Sequence, residues 1–312
     1  MPSALFMPYG PRTPQPQTGP RGRTAASKAR LCEDNYKKWR AGMAVILRGE
    51  VDGVPKRVVS LNPSVNEFLA LLGVELAGRD AFTYRPRELM KAPIVGTFVD
   101  MNFDAVKRMG PDLVILYHPV QTHLLDKAAT AANAVVAVPT PTSVDHVAAI
   151  FRFFARLFDK DEQGDWIAGV YKDLLRGPPI LEGVVAVINL GVYDLACRNS
   201  YLADALTAAG LKYAKTPPCV FKHSQDPPKE LHEANFVIYE ARGKALAPAE
   251  HQLLKSRPHV ATPNDTLAHY GPSLPLDIRN VAQAAVKGQT WVGETSSTQR
   301  PSLRDPWYRP YL

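Results

Sequence analysis

Two histidines, His118 and His123, stand five residues apart, with Asp126 three further on. Imidazole and carboxylate groups hold divalent metals and activate water, so the first chemistry to weigh is that of a metal-dependent hydrolase. The spacing does not set both rings on one helical face, no H-E-x-x-H run is present, and a single loop histidine more often meets solvent or caps a turn. The chain also lacks a G-x-S-x-G elbow and a G-x-G-x-x-G loop after a strand. Gly243-Lys244 has neither the upstream glycine nor the following Ser or Thr of a phosphate-binding loop. Cys32, Cys197 and Cys219 are far apart, odd in number and without C-x-x-C, and they read as free thiols. No catalytic centre, metal site or intrinsic cofactor is expected, and a hydrolase built on His118, His123 and Asp126 is the least favoured reading.

The aromatic residues suit a different chemistry. Open α/β sheets bind ligands beyond the carboxyl ends of their strands. That rule selects Tyr117, His118 and His123 after the apolar run 112–117, Tyr193 after the run ending at Leu190, and His269 and Tyr270 after the strand 259–262. A ring offers an apolar face worth roughly 25 cal/mol per Å² buried, and a tyrosine adds a hydroxyl at its rim, so such a set fits a flat or bulky apolar-faced ligand. The bland reading, in which Tyr117 merely ends a buried strand, is favoured by about two to one on the residue alone.

The elements that must position these residues follow from periodicity. With 312 residues and 46% hydrophobic content the chain can bury a large core. Residues 57–61, 112–117 and 134–138 are short apolar runs separated by helical stretches, the pattern of a parallel sheet covered on both faces. The stretch 44–49 reads as a hairpin partner of 57–61 across Asp52-Gly53, and Ser64 with Glu67 as a capping box. Val144, Val147, Phe151, Phe154 and Phe158 recur at helical spacing, and residues 161–176 form a second helix of roughly 24 Å, long enough to connect two lobes. A second α/β unit follows, with strands at 184–190, 235–240 and 259–262 and helices at 200–209 and 276–286. The expected division is a basic Pro-rich extension with leading hairpin (1–55), a first α/β lobe (56–142), helices including the strut (143–180), a second α/β lobe (181–287) and an aromatic tail (288–312). In that tail Trp291, Trp307, Tyr308 and Tyr311 are read as staples onto the body.

The net charge of +7 is uneven, since residues 1–50 hold nine Lys or Arg against three acids. The folded part is near neutral, which argues against specific nucleic-acid binding; residues 26–40 could form a basic helix. No apolar run of signal-peptide or membrane-span length is visible, which leaves a cytoplasmic location open.

The run from Arg57 to Gly73, RVVSLNPSVNEFLALLG, resembles the opening of the cobalamin and iron-siderophore binding proteins, the helical-backbone metal receptors of ABC importers. Val95-Gly96, Asn102-Phe103-Asp104 and Gly110-Pro111-Asp112-Leu113-Val114-Ile115 resemble that family's VGG, NLE and KPDLVI passage. Ser143-Val144-Asp145-His146-Val147 resembles the start of its next helix. In the second half, Asn199 to Leu206 and His269-Tyr270-Gly271-Pro272 are similar to its SFLDDLL and PGPR stretches. The resemblance spans roughly residues 56–287 and is most specific in the first lobe.

It implies two mainly parallel α/β lobes joined by one long helix, with a ligand (cobalamin, haem or a ferric siderophore) in the cleft between them. It places Phe82 and Tyr117 where the cobalamin-binding member contacts the corrin. It gives Asp104, and either Asp226 or Glu230, the role of docking acids for the membrane subunits of an ABC transporter. It also implies a location outside the cytoplasm and a monomer. The alternative on the same fold is a cytoplasmic carrier or sensor of a corrinoid, haem or metal chelate.

Overall fold

A computed structural model of the chain describes residues 45–292, 302–305 and 308–312; the expected basic helix at 26–40 and Trp307 lie outside them. In chain order the first lobe comprises β1 (Ile46–Gly49), β2 (Val58–Ser60), α1 (Pro63–Leu71), β3 (Leu76–Asp80), β4 (Ile94–Gly96), α2 (Phe103–Met109), β5 (Leu113–His118), α3 (Leu125–Ala128) and β6 (Ala134–Pro139). Two helices follow, α4 (Val144–Leu157) and α5 (Asp161–Leu174). The second lobe holds β7 (Leu181–Asn189), β8 (Tyr193–Ala196), α6 (Tyr201–Ala208), β9 (Leu211–Tyr213), β10 (Phe221–Ser224), α7 (Glu230–Glu233), β11 (Phe236–Glu240), α8 (Pro248–Leu254), β12 (His259–Thr262) and α9 (Leu274–Val286). Among the described residues no helix is long and apolar enough to cross a membrane.

The first sheet runs β1-β6-β5-β2-β3-β4, parallel except for β1. The second runs β10-β8-β7-β11-β12, with β9 also on β7. Its β7, β11, β12 and β9 pair in parallel, while β8 pairs antiparallel with both β7 and β10. This is the two-lobed α/β arrangement that the spacing of apolar runs predicts. The strands β5 and β6 are unbroken apolar runs because both faces of a parallel sheet are covered.

Three local expectations are corrected. The first strand does not form a hairpin with β2. It pairs with β6 at the far edge of the sheet, Ile46 opposite Ala137, and the chain then crosses to the centre to begin β2. The cap of α1 is Asn62, whose side-chain oxygen accepts from the Val65 amide at 3.2 Å. Ser64 and Glu67 turn instead toward the second lobe. Finally, Cys197 and Cys219 are not free thiols but form a disulfide, with Cα atoms 5.2 Å apart.

One apolar core runs through both lobes and the helices between them. Phe68 of α1 stacks on Phe151 of α4 with ring centroids 4.4 Å apart, and Phe151 meets Tyr171 of α5 edge-on at 5.4 Å. Gly164 permits the close crossing of α4 and α5, since a Cβ there would lie 2.1 Å from that of Ala155. Two smaller cores cover the outer faces of the sheets. Tyr308 and Tyr311 of the tail are buried in the main core, as the staple reading expects.

Candidate functional site

Between the lobes lies a cleft of about 540 Å³. Its first-lobe wall comes from the segment after β2 and the start of α1 (Asn62, Ser64, Glu67), the loop after β3 (Phe82 to Arg85), Phe98 beyond β4, and Tyr117 near the end of β5. The opposing wall is made by Ile188 and Leu190 at the end of β7, Asp194 of β8, Phe221 of β10, Arg242 beyond β11, and the loop after β12 that carries Asp265, His269 and Tyr270. Most of these positions lie at or beyond the carboxyl ends of parallel strands, where the fold leaves side chains free of the sheet.

An arc of rings runs along this cleft, with Tyr201 buried behind the lining as its hidden link. Phe98 lies 5.7 Å from Tyr117, Tyr117 6.4 Å from Tyr270, Tyr270 5.7 Å from Tyr201, and Tyr201 6.1 Å from Phe221, centroid to centroid. Phe82 and Phe98 are 44% and 37% exposed, so apolar surface faces the opening. Burial pushes the Tyr117 phenol up to about 12, with a hydrogen bond to Thr140 opposing the shift, so the residue offers its ring rather than a phenolate. The Tyr270 hydroxyl accepts from the Asn62 side-chain amide at 2.9 Å, and its own amide donates to Ser64 Oγ at 3.0 Å. These two bonds tie the second-lobe loop to the start of α1.

Beside the arc stands a buried polar wall. Arg85 reaches across from the first lobe, with Nη1 3.1 Å from Asp277 of α9 and Nη2 bonded to the Asp265 carbonyl and to His269 Nε2. Burial, then the adjacent guanidinium, holds the His269 imidazole down to about 3, so the ring is neutral. Burial likewise raises Asp277 to about 6, against the opposing pull of Arg85. Glu67, 1% exposed, accepts at Oε1 from the Ser273 amide (2.9 Å) and the Tyr308 hydroxyl (2.8 Å). Its Oε2 sits 3.6 Å from His269 Nδ1. Gly271 makes room for this carboxylate, because a Cβ there would fall 2.0 Å from Oε2.

Of the residues singled out from sequence, Phe82, Tyr117, His269 and Tyr270 meet in the cleft. His118 does not line it; its Nδ1 pairs with Thr122 Oγ1 at 2.8 Å. Tyr193 lies outside the lining as well, and its neighbour Asp194 takes the inward place. His123 holds the Val99 carbonyl at 2.9 Å, and Asp126 faces Arg48 at 3.8 Å, so the hydrolase trio does not converge. Phe98, Arg85, Phe221 and Arg242 were not foreseen. The strand-end rule would have found Phe98 and Arg242, but β4 is only three residues long and Arg242 sits two residues beyond the end of the expected strand. Among the acids, Asp104 is exposed in the first turn of α2 and Asp226 is exposed in a loop, whereas Glu230 is buried and paired with Lys222 at 3.0 Å.

Residues 58–176 match the family model described as periplasmic binding protein. That match covers the first lobe from β2 onward and its helical connection. About three quarters of the chain shares its fold with solved binding proteins. A periplasmic haem-binding protein, BhuT, in complex with two haems, superposes with a TM-score of 0.60 at 20% identity over 76% of this chain and 99% of its own. The siderophore-binding protein BauB, bound to a complex of two acinetobactin molecules and ferric iron, gives 0.58 at 17% identity over 78% and 98%. The vitamin B12 binding protein BtuF of Vibrio cholerae gives 0.57 at 10% identity over 76% and 99%. No curated protein matches the chain in sequence. The family is one of binding proteins, which agrees with the expectation of a non-enzymatic chain.

Proposed function

We propose that this protein is the substrate-binding component of an ABC-type importer and takes a metal chelate of the cobalamin, ferric-siderophore or haem type in its interlobe cleft. The observation that carries this reading is the aromatic arc from Phe98 to Phe221, presented where an α/β sheet leaves ligand-facing positions. Each ring covered by a ligand face contributes on the order of 1–3 kcal/mol, and the arc supplies several. Tyr117 and Phe98 form the first-lobe side of that surface, with Phe82 at the rim and Tyr270 as the floor. The match to a periplasmic binding protein model and the ligands of the structural neighbours point the same way.

Asp104 on the first lobe and Asp226 on the second are the exposed acids that would meet basic groups of the membrane subunits. Glu230 is already occupied by Lys222 and is the weaker candidate. Exposed pairs of this kind orient docking more than they hold it, at up to about 1 kcal/mol each. The disulfide between Cys197 and Cys219 favours an oxidising compartment, and so the extracytoplasmic importer over a cytoplasmic carrier. A double variant F98A/Y117A, followed through the visible absorbance of the bound chelate, should lose about 2–4 kcal/mol of binding, roughly thirtyfold or more in Kd, and stay folded. Unchanged affinity in that variant would remove the arc from the ligand site.

A further inference from the structure

The tail that follows the second lobe does more than cover surface. Ser302 donates from its hydroxyl to the Glu88 carboxylate, and the Leu303 amide donates to the same group at 3.2 Å, which fastens the tail to the first lobe. Tyr311 donates its hydroxyl to the Pro272 carbonyl of the second-lobe loop at 2.7 Å. Tyr308 lies between them, fully buried, and donates to Glu67 Oε1 at 2.8 Å.

Glu67 is one of the residues that face the cleft. It stands at the head of a relay through groups the ligand would meet: its second oxygen is 3.6 Å from His269 Nδ1, His269 Nε2 contacts the Arg85 guanidinium, and Arg85 is anchored by Asp277 at 3.1 Å. Glu67, His269 and Arg85 all line the cleft, while Tyr308 is not among the lining residues. His269 Nδ1, the side that faces Glu67, also accepts from the Gly271 amide at 3.3 Å, so the ring is held from both of its nitrogens. The Tyr308 hydroxyl and the Ser273 amide together fix where that carboxylate sits.

We propose that Tyr308 is a positioning residue of the ligand site: it sets Glu67, and through it His269 and Arg85, so that the cleft's polar wall is completed by a residue outside its lining. A tail that served only as a staple would act through stability alone. Tyr311 provides the comparison, being an equally buried tyrosine whose hydroxyl meets a backbone carbonyl instead of a cleft residue.

The test compares Y308F with Y311F in the full chain. Each keeps its ring and loses one hydrogen bond. The first readout is the affinity for whichever of cyanocobalamin, ferric haem or a ferric hydroxamate siderophore the wild type binds, an arm that rests on the cleft being the ligand site. Y308F should weaken it by about fivefold or more and Y311F by no more than about twofold. The second readout needs no ligand: amide hydrogen exchange across residues 265–273, which should speed up in Y308F at Ser273 and its neighbours more than in Y311F. Equal affinity losses in the two variants, or equal exchange, would reduce the tail to a staple and overturn the proposal. Should the wild type bind none of the three chelates, the functional reading fails, and the exchange comparison alone then upholds or overturns the role of Tyr308.

Discussion

Glu67 shows how far a single side chain's role can lie from its neighbourhood in sequence. Three positions after Ser64, it fits a capping box, yet its partners are the Ser273 amide, 206 residues away, and the Tyr308 hydroxyl, 241 residues away. A local pattern cannot contain such partners, and so the Glu67, Arg85 and Asp277 parts of the polar wall were not legible, whereas Phe82, Tyr117, His269 and Tyr270 were, because each lies where the strand-end rule or the family resemblance points.

His269 was foreseen as a ligand contact, but its chemistry depends on burial and on Arg85. The unfolded chain takes up a proton near the ordinary 6.5, whereas the native ring does so only near 3. The stability contributed by the neutral ring is therefore present above 6.5 and is lost as pH falls toward 3. In an NMR titration the His269 ring signal, assigned by its absence in H269Q, should show no protonation step between about pH 8 and about pH 5. A midpoint near the ordinary value would mean that the ring is solvated and the wall open.

At the level of elements, the strands rich in β-branched residues were the readable ones. The short strands β3, β4, β8, β9 and β10 were missed, since stretches such as Leu76–Asp80 or Phe221–Ser224 mix glycine and charged or polar residues and owe their conformation to paired neighbours. The disulfide was hidden for the same reason. β8 and β10 pair antiparallel with Ala196 opposite Phe221, which brings Cys197 and Cys219 together although they are 22 residues apart. Closing a loop of that length restricts the unfolded chain by about 3 kcal/mol. Adding a reductant should lower the urea midpoint of the wild type by a corresponding amount and leave a C197S/C219S variant unmoved. A wild type indifferent to reductant would show that the two thiols do not pair.

Across the whole molecule, the alternation of apolar runs and helical stretches was enough to predict two α/β units, but not how firmly they join. The main core is continuous through both lobes and α4 and α5. The Arg85–Asp277 pair and the Asn62–Tyr270 bond add polar ties across the junction. A frame of this kind holds the arc and the polar wall in place before a ligand arrives, which lowers the ordering cost of binding. The central claim is that this preformed cleft receives a metal chelate, and an equilibrium titration of the purified full chain with cyanocobalamin, ferric haem and a ferric siderophore, read from their visible bands, tests it most directly. The account predicts saturable one-to-one binding of one of them by the wild type. A folded wild type that binds none of the three would contradict it.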